Sequence, residues 1–208
     1  MVVERDNDVI EAEVTILEWD RVTGGGMSES MSCQSCHMPV KDNGDHLHTF
    51  VGVDIDLTFD PIENSPLYDD VSAMLKGAVE LEFGYNNIIL PETIQQEEIL
   101  NIPISITSMT AHSIPSGTSF SREAWLEVVI LDNNLDTVLQ SGVVENTESL
   151  NLADSSLTLF TSYLIDSKND TTHSIMETYG IIDNNLLQGF VTVPAYYNIT
   201  ISDEMVGL

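Results

Sequence analysis

Basic residues are scarce in this chain: 6 Lys and Arg stand against 34 Asp and Glu among 208 residues, a formal net charge of -28. A surface of that sign repels phosphate backbones and anionic headgroups, so nucleic acid and acidic membranes are poor partners. It suits a secreted protein, or one from a salty or alkaline medium. Cysteine is scarcer still, with only Cys33 and Cys36. Two thiols so close together build no disulfide framework, and without a second pair they cannot complete a four-cysteine zinc site. No apolar run approaches the ~18 residues that span a bilayer as a helix. The opening MVVERDNDVIEAEV lacks the basic and apolar stretches of a signal peptide, so an exported protein would be represented here by its mature form or a fragment. Nucleotide-binding glycine loops, a nucleophile elbow and an EF-hand loop are absent, as are internal repeats and low-complexity tracts.

Aromatics make up 7%, yet 42% of the residues are hydrophobic, enough for the core of one large or two small domains. The apolar positions of 1–22 (Ile10, Val14, Ile16, Leu17, Val22) fit helix and strand equally, with Leu17 and Trp19 expected to pack. A GGG break follows at 24–26. Residues 27–66 show little periodicity. Leu67, Val71, Met74, Leu75 and Val79 fall at helical spacings, which predicts a short amphipathic helix, with a turn into a strand at Val79–Phe83 as the alternative. The second half changes character. Segments 101–110, 124–132, 137–144, 157–166 and 190–201 are β-branched, partly alternating and separated by Asn-, Asp- and Gly-rich turns such as DNNLD at 132–136. Short strands at that spacing predict an antiparallel β-sandwich, with Trp125, Leu126, Phe160 and Tyr163 in its core.

Residues 33–37 read Cys-Gln-Ser-Cys-His. Two thiols three positions apart can each form a thioether to a vinyl group on one porphyrin edge, and the following imidazole can then reach the iron. A thioredoxin-like redox pair would need a βαβ context that is missing. Zinc would need two further ligands, for which His46 and His48 are candidates, although their spacing is shorter than in finger-type sites.

Three segments in order, CQSCHMP (33–39), HLHTFVGVDIDL (46–57) and TAHSIPSGTSFSREAWLEVVILD (110–132), resemble a group of multihaem-type cytochrome c proteins. Those proteins carry CxxCHMP, an H-x-F-x-G segment close behind it, and an H-x-x-P-[ST]-G…R-x-x-W-L segment that opens a β-sandwich. The resemblance covers roughly residues 30–166. Together with the strand pattern, it implies a mainly β chain, an antiparallel β-sandwich (93–208) preceded by an irregular haem-binding region (1–92) with one or two short helices. It also implies one covalent haem c, electron transfer rather than catalysis, and a periplasmic or extracellular location. Some relatives polymerise into haem-stacked filaments (nanowires). This chain has a single CxxCH, so no multihaem relay fits within it, and long-range conduction requires a homo-oligomer or helical homopolymer.

His37 supplies one axial position, and the other falls to His46, His48, His112, His173, a methionine or nothing. Met38 points the wrong way from its place beside His37, and Met27 and Met31 precede the motif. The resemblance favours His48 and His112 as ligands or neighbours. His112 stands ahead because a Pro-Gly-rich turn at a strand end holds it well, and because it would join the haem segment to the sandwich. His46 and His48 alternate, so an extended backbone places them on one side, where a second metal such as copper could bind with Asp45 or Asp54. Arg122 suits a haem propionate or an ordinary surface ion pair. His173 reads as a loop residue or, less simply, a metal ligand. Two glycosylation sequons begin at Asn169 and Asn198.

Overall fold

The computed structural model describes residues 2–5, 8–25, 31–40, 43–46, 48–88, 90, 98–145 and 149–201, without the side chains of 183 and 184. Gly26, Met27, Glu97 and the expected domain boundary at 92/93 lie outside the described residues. The chain runs β1 (Val2–Arg5), β2 (Asp8–Glu11), α1 (Thr15–Thr23), α2 (Cys33–His37), α3 (Tyr68–Lys76), β3 (Val79–Phe83), β4 (Ile99–Ser108), β5 (Ala124–Leu126), β6 (Val128–Leu131), β7 (Thr137–Ser141), β8 (Thr158–Ile165), β9 (Thr171–Thr172), β10 (Gly180–Asn185) and β11 (Thr192–Thr200). The fold is mainly β and antiparallel. Among the described residues it carries three short α-helices where one or two were expected, because the ambiguous 1–22 stretch supplies a hairpin and α1.

One sheet has the order β11-β4-β3 and faces a second of order β10-β8-β5, with β9 paired to β8. Alternation sets the inner face. Ile102, Ile104 and Ile106 of β4 meet Ala195, Tyr197 and Ile199 of β11, and Leu126 and Phe160 close the core from the other sheet. Each of those isoleucines contributes about 1.5–3 kcal/mol through burial. Trp125 departs from the expected core. Its neighbour Leu126 takes the inward position, so Trp125 lies on the outer face, 40% exposed, and its indole N–H donates to Gly142 O at 2.9 Å. Tyr163 is half-buried. The predicted helix and strand at 66–83 both form, as α3 and then β3, which pairs with β4 at the sheet edge.

The N-terminal segment docks on the sandwich. β1 and β2 form a hairpin, and Ala12 packs with Phe120 and Leu164 in a second small core. Arg5 Nε donates to Thr178 O at 3.0 Å while its guanidinium lies 5.2 Å from the Tyr179 ring centroid. Helix α1 ends at Gly24, whose positive φ of 69° lets its amide turn back onto Asp20 O. The helix buries Trp19 and leaves Leu17 at the surface.

Candidate functional site

Helix α2 begins at Ser32, whose hydroxyl accepts from Ser35 N at 3.1 Å, a standard N-cap. One helical turn places Cys33 and Cys36 on one face, both exposed and both free thiols. His37 ends the helix. Its Nδ1 is hydrogen-bonded to Val51 O, and Val51 N donates back to His37 O at 3.2 Å. A carbonyl only accepts, so Nδ1 carries a proton, and in the neutral ring Nε2 keeps its lone pair. That is the tautomer of a metal-ligating histidine, oriented by a backbone carbonyl. Phe50 lies flat on the same imidazole, with centroids 4.5 Å apart and planes within 10°.

The sandwich brings His112 to this imidazole. The His37 and His112 ring centroids are 6.2 Å apart, with planes within 18°. His112 Nδ1 donates to Ser113 O at 2.9 Å, so in the neutral ring its Nε2 is likewise the unprotonated nitrogen. Two imidazoles bound to one metal ion at about 2 Å each have centroids about 6 Å apart. The spacing matches that of two imidazoles on one metal ion, and two free thiols beside His37 are the chemistry of a covalently attached haem.

Several contacts hold the His112 turn. Thr110 Oγ1 donates to His112 O at 2.6 Å, and Ile114 exchanges backbone bonds of 2.8 and 2.9 Å with Leu187. Arg122 donates to Ser116 O at 3.1 Å and to Asp54 Oδ2 at 2.8 Å, which ties this loop to the segment behind Val51. Its guanidinium thus makes an ion pair with a carboxylate of the segment that follows Val51.

His46 is exposed and its Nδ1 donates to Met38 O at 2.7 Å; His48 is exposed too. Among the described residues, no group of three or more His, Cys, Asp or Glu side chains converges as a metal site, so the pair gathers no carboxylate. His173 Nδ1 donates to Phe120 O at 3.0 Å, on a shallow surface cleft shared with Trp125 and Tyr163. Sequence reasoning missed Phe50 and Val51 as parts of the site, although both stand in the HTFVG segment. It also missed Glu18, which nothing in the sequence separates from the other acids.

Neither protein families nor curated proteins give a match to this chain. Among solved structures, the fold resembles part of a longer chain. The neighbour is the penta-haem cytochrome c552 of Thermochromatium tepidum, with a TM-score of 0.62 at 21% identity, over 91% of this chain and 40% of that one. This chain thus spans about two fifths of the length of that protein.

Proposed function

We propose that this chain is a secreted monohaem c-type cytochrome that transfers electrons. The observation that carries the reading is the near-parallel pair His37 and His112, 6.2 Å apart, each with its Nδ1 tied to a carbonyl. Cys33 and Cys36 would hold one haem by thioethers, and the two histidines would fill both axial positions, which leaves no open position for a substrate. The bound haem supplies one-electron exchange at iron. The protein's part is to fix the imidazole planes through Phe50, Val51 and Ser113, and to join the haem segment to the sandwich.

A chain with one haem carries charge only to a neighbour. Phe50, Val53, Leu57 and Phe59 are all exposed in the haem-binding segment. Four exposed apolar side chains within ten residues of sequence suit a contact surface. They support a homo-oligomer or helical homopolymer that brings the haems of successive subunits close. Among the described residues, no helix is long and apolar enough to cross a membrane, and the acidic surface suits a periplasmic or extracellular setting. The second metal considered at His46 and His48 gains no support from their surroundings.

A pyridine haemochrome assay with elemental analysis tests the reading. One haem c per chain is expected. Zinc without haem would overturn it in favour of an interaction module with a zinc site, and a high-spin haem that binds carbon monoxide would favour a haem enzyme or sensor.

A further inference from the structure

We propose that Glu18 and Thr15, on one face of α1, are positioning residues that hold His112 where it can close the iron's sixth position. The proposal rests on the bis-histidine reading above. Glu18 is 9% exposed, although it belongs to a chain of net charge -28. A carboxylate taken out of water in that field needs strong donors. It finds them in the loop after His112: Glu18 Oε2 accepts from Ser113 N at 3.2 Å and from Ser116 Oγ at 2.6 Å. One turn earlier, Thr15 Oγ1 accepts from Gly117 N at 3.0 Å and lies 2.8 Å from Ser116 Oγ. The helix thus grips three residues of the segment 113–117. Ser113 is also the residue whose carbonyl orients the His112 ring, so the amide and the carbonyl of one residue are fixed from opposite sides.

The same helix reaches the other half of the site. Trp19, next to Glu18, donates its indole N–H to Met31 O at 2.8 Å, two residues before Cys33. Helix α1 therefore braces both ligand-bearing segments and sets the spacing between them. Charge-assisted bonds of the Glu18 kind are about twice as strong as neutral ones, so Glu18 is the stronger part of the grip.

The test compares carbon monoxide binding by ferrous wild type, His112→Ala, Glu18→Ala and Glu18→Gln, together with amide exchange at Ser113 and Gly117 in the full chain. Wild type is expected to resist carbon monoxide and His112→Ala to bind it fully. Glu18→Ala should raise the carbon monoxide-accessible fraction and the Ser113 exchange rate by at least about tenfold, since it removes two charge-assisted bonds to the loop, each worth about that factor. Glu18→Gln keeps an acceptor oxygen and should stay near wild type. If Glu18→Ala does not fold, Ser116→Ala removes one donor from outside the helix and should shift both readouts the same way, by less. Wild-type behaviour of the foldable variant beside an open His112→Ala overturns the positioning role and leaves the ligand assignment standing. Wild type without haem c, or a His112→Ala variant that still excludes carbon monoxide, overturns the ligand assignment and the proposal with it.

Discussion

Phe50 and His37 lie face to face, centroids 4.5 Å apart and planes within 10° of each other. The phenyl ring is 61% exposed, so burial contributes little and its main role is to fix the imidazole plane. Stacked aromatic pairs contribute about 0.5–1.5 kcal/mol beyond burial. Phe50→Ala should therefore lower stability to guanidinium by about 1 kcal/mol. It should also broaden the orientation of His37, visible as a wider spread in the electron paramagnetic resonance of the oxidised protein. An unaltered signal would remove Phe50 from the site.

Gly189 leaves room for the His112 turn. A Cβ there would meet Thr110 O at 2.8 Å and His112 N at 2.9 Å, both backbone atoms that cannot swing aside. Gly189→Ala should cost about 1–3 kcal/mol, as overpacking does. Because the strain falls on His112 itself, the low-spin fraction should drop in the same variant. Loss of stability with an intact haem spectrum would show that the turn relaxes away from the ligand.

How far this arrangement was readable beforehand differs from element to element. β4, β7, β8 and β11 were legible because β-branched residues alternate between turn clusters, and α3 because Leu67, Val71 and Met74 keep helical spacing. β10 was not, since its end reads Ile-Asp-Asn-Asn, the composition of a turn; pairing with β8 overrides it. At the site, Cys33, Cys36 and His37 are local in sequence and were legible from spacing alone. The hydrogen bonds to Val51 O and from Ser113 N to Glu18 join distant segments, and no spacing encodes them. Trp125 was misplaced because an apolar residue in a short strand takes either face, and only pairing with β8 decides which.

Leu135 sits in the β6–β7 turn with φ of 69°, 75% exposed. Asn169 takes the same conformation, φ of 67°, in the β8–β9 turn, where Asp166 accepts the loop amides as Asp132 does here. The left-handed region costs a branched L-residue about 1–2 kcal/mol, and Asn tolerates it better. Leu135→Asn should raise the unfolding free energy by about 1 kcal/mol. Thermal denaturation checks it, and a fall in Tm would contradict the strain argument.

Asp154 is held below the usual carboxylate range, first by the Ser141 hydroxyl at 2.7 Å and then by the Ser156 amide at 2.8 Å. Its folded value lies below its unfolded one, so its stabilisation is complete above the unfolded pKa and is lost as pH falls through the folded one. Denaturation of wild type and Asp154→Asn across pH should show a gap that is constant near neutrality and closes under strongly acid conditions. The difference between the two curves is the quantity to follow, since protonation of the other acids relieves repulsion in both proteins. A gap that widens in acid would contradict the sign.

On the proposed reading, His37 and His112 hold one iron between them. The deciding measurement is the visible spectrum of the reduced protein, recorded for wild type, His48→Ala and His112→Ala with and without carbon monoxide. The expected result is sharp low-spin α and β bands, indifferent to carbon monoxide, in wild type and His48→Ala, with a high-spin, carbon monoxide-binding haem in His112→Ala. A His112→Ala protein that keeps the low-spin spectrum, or a His48→Ala protein that loses it, would contradict the account.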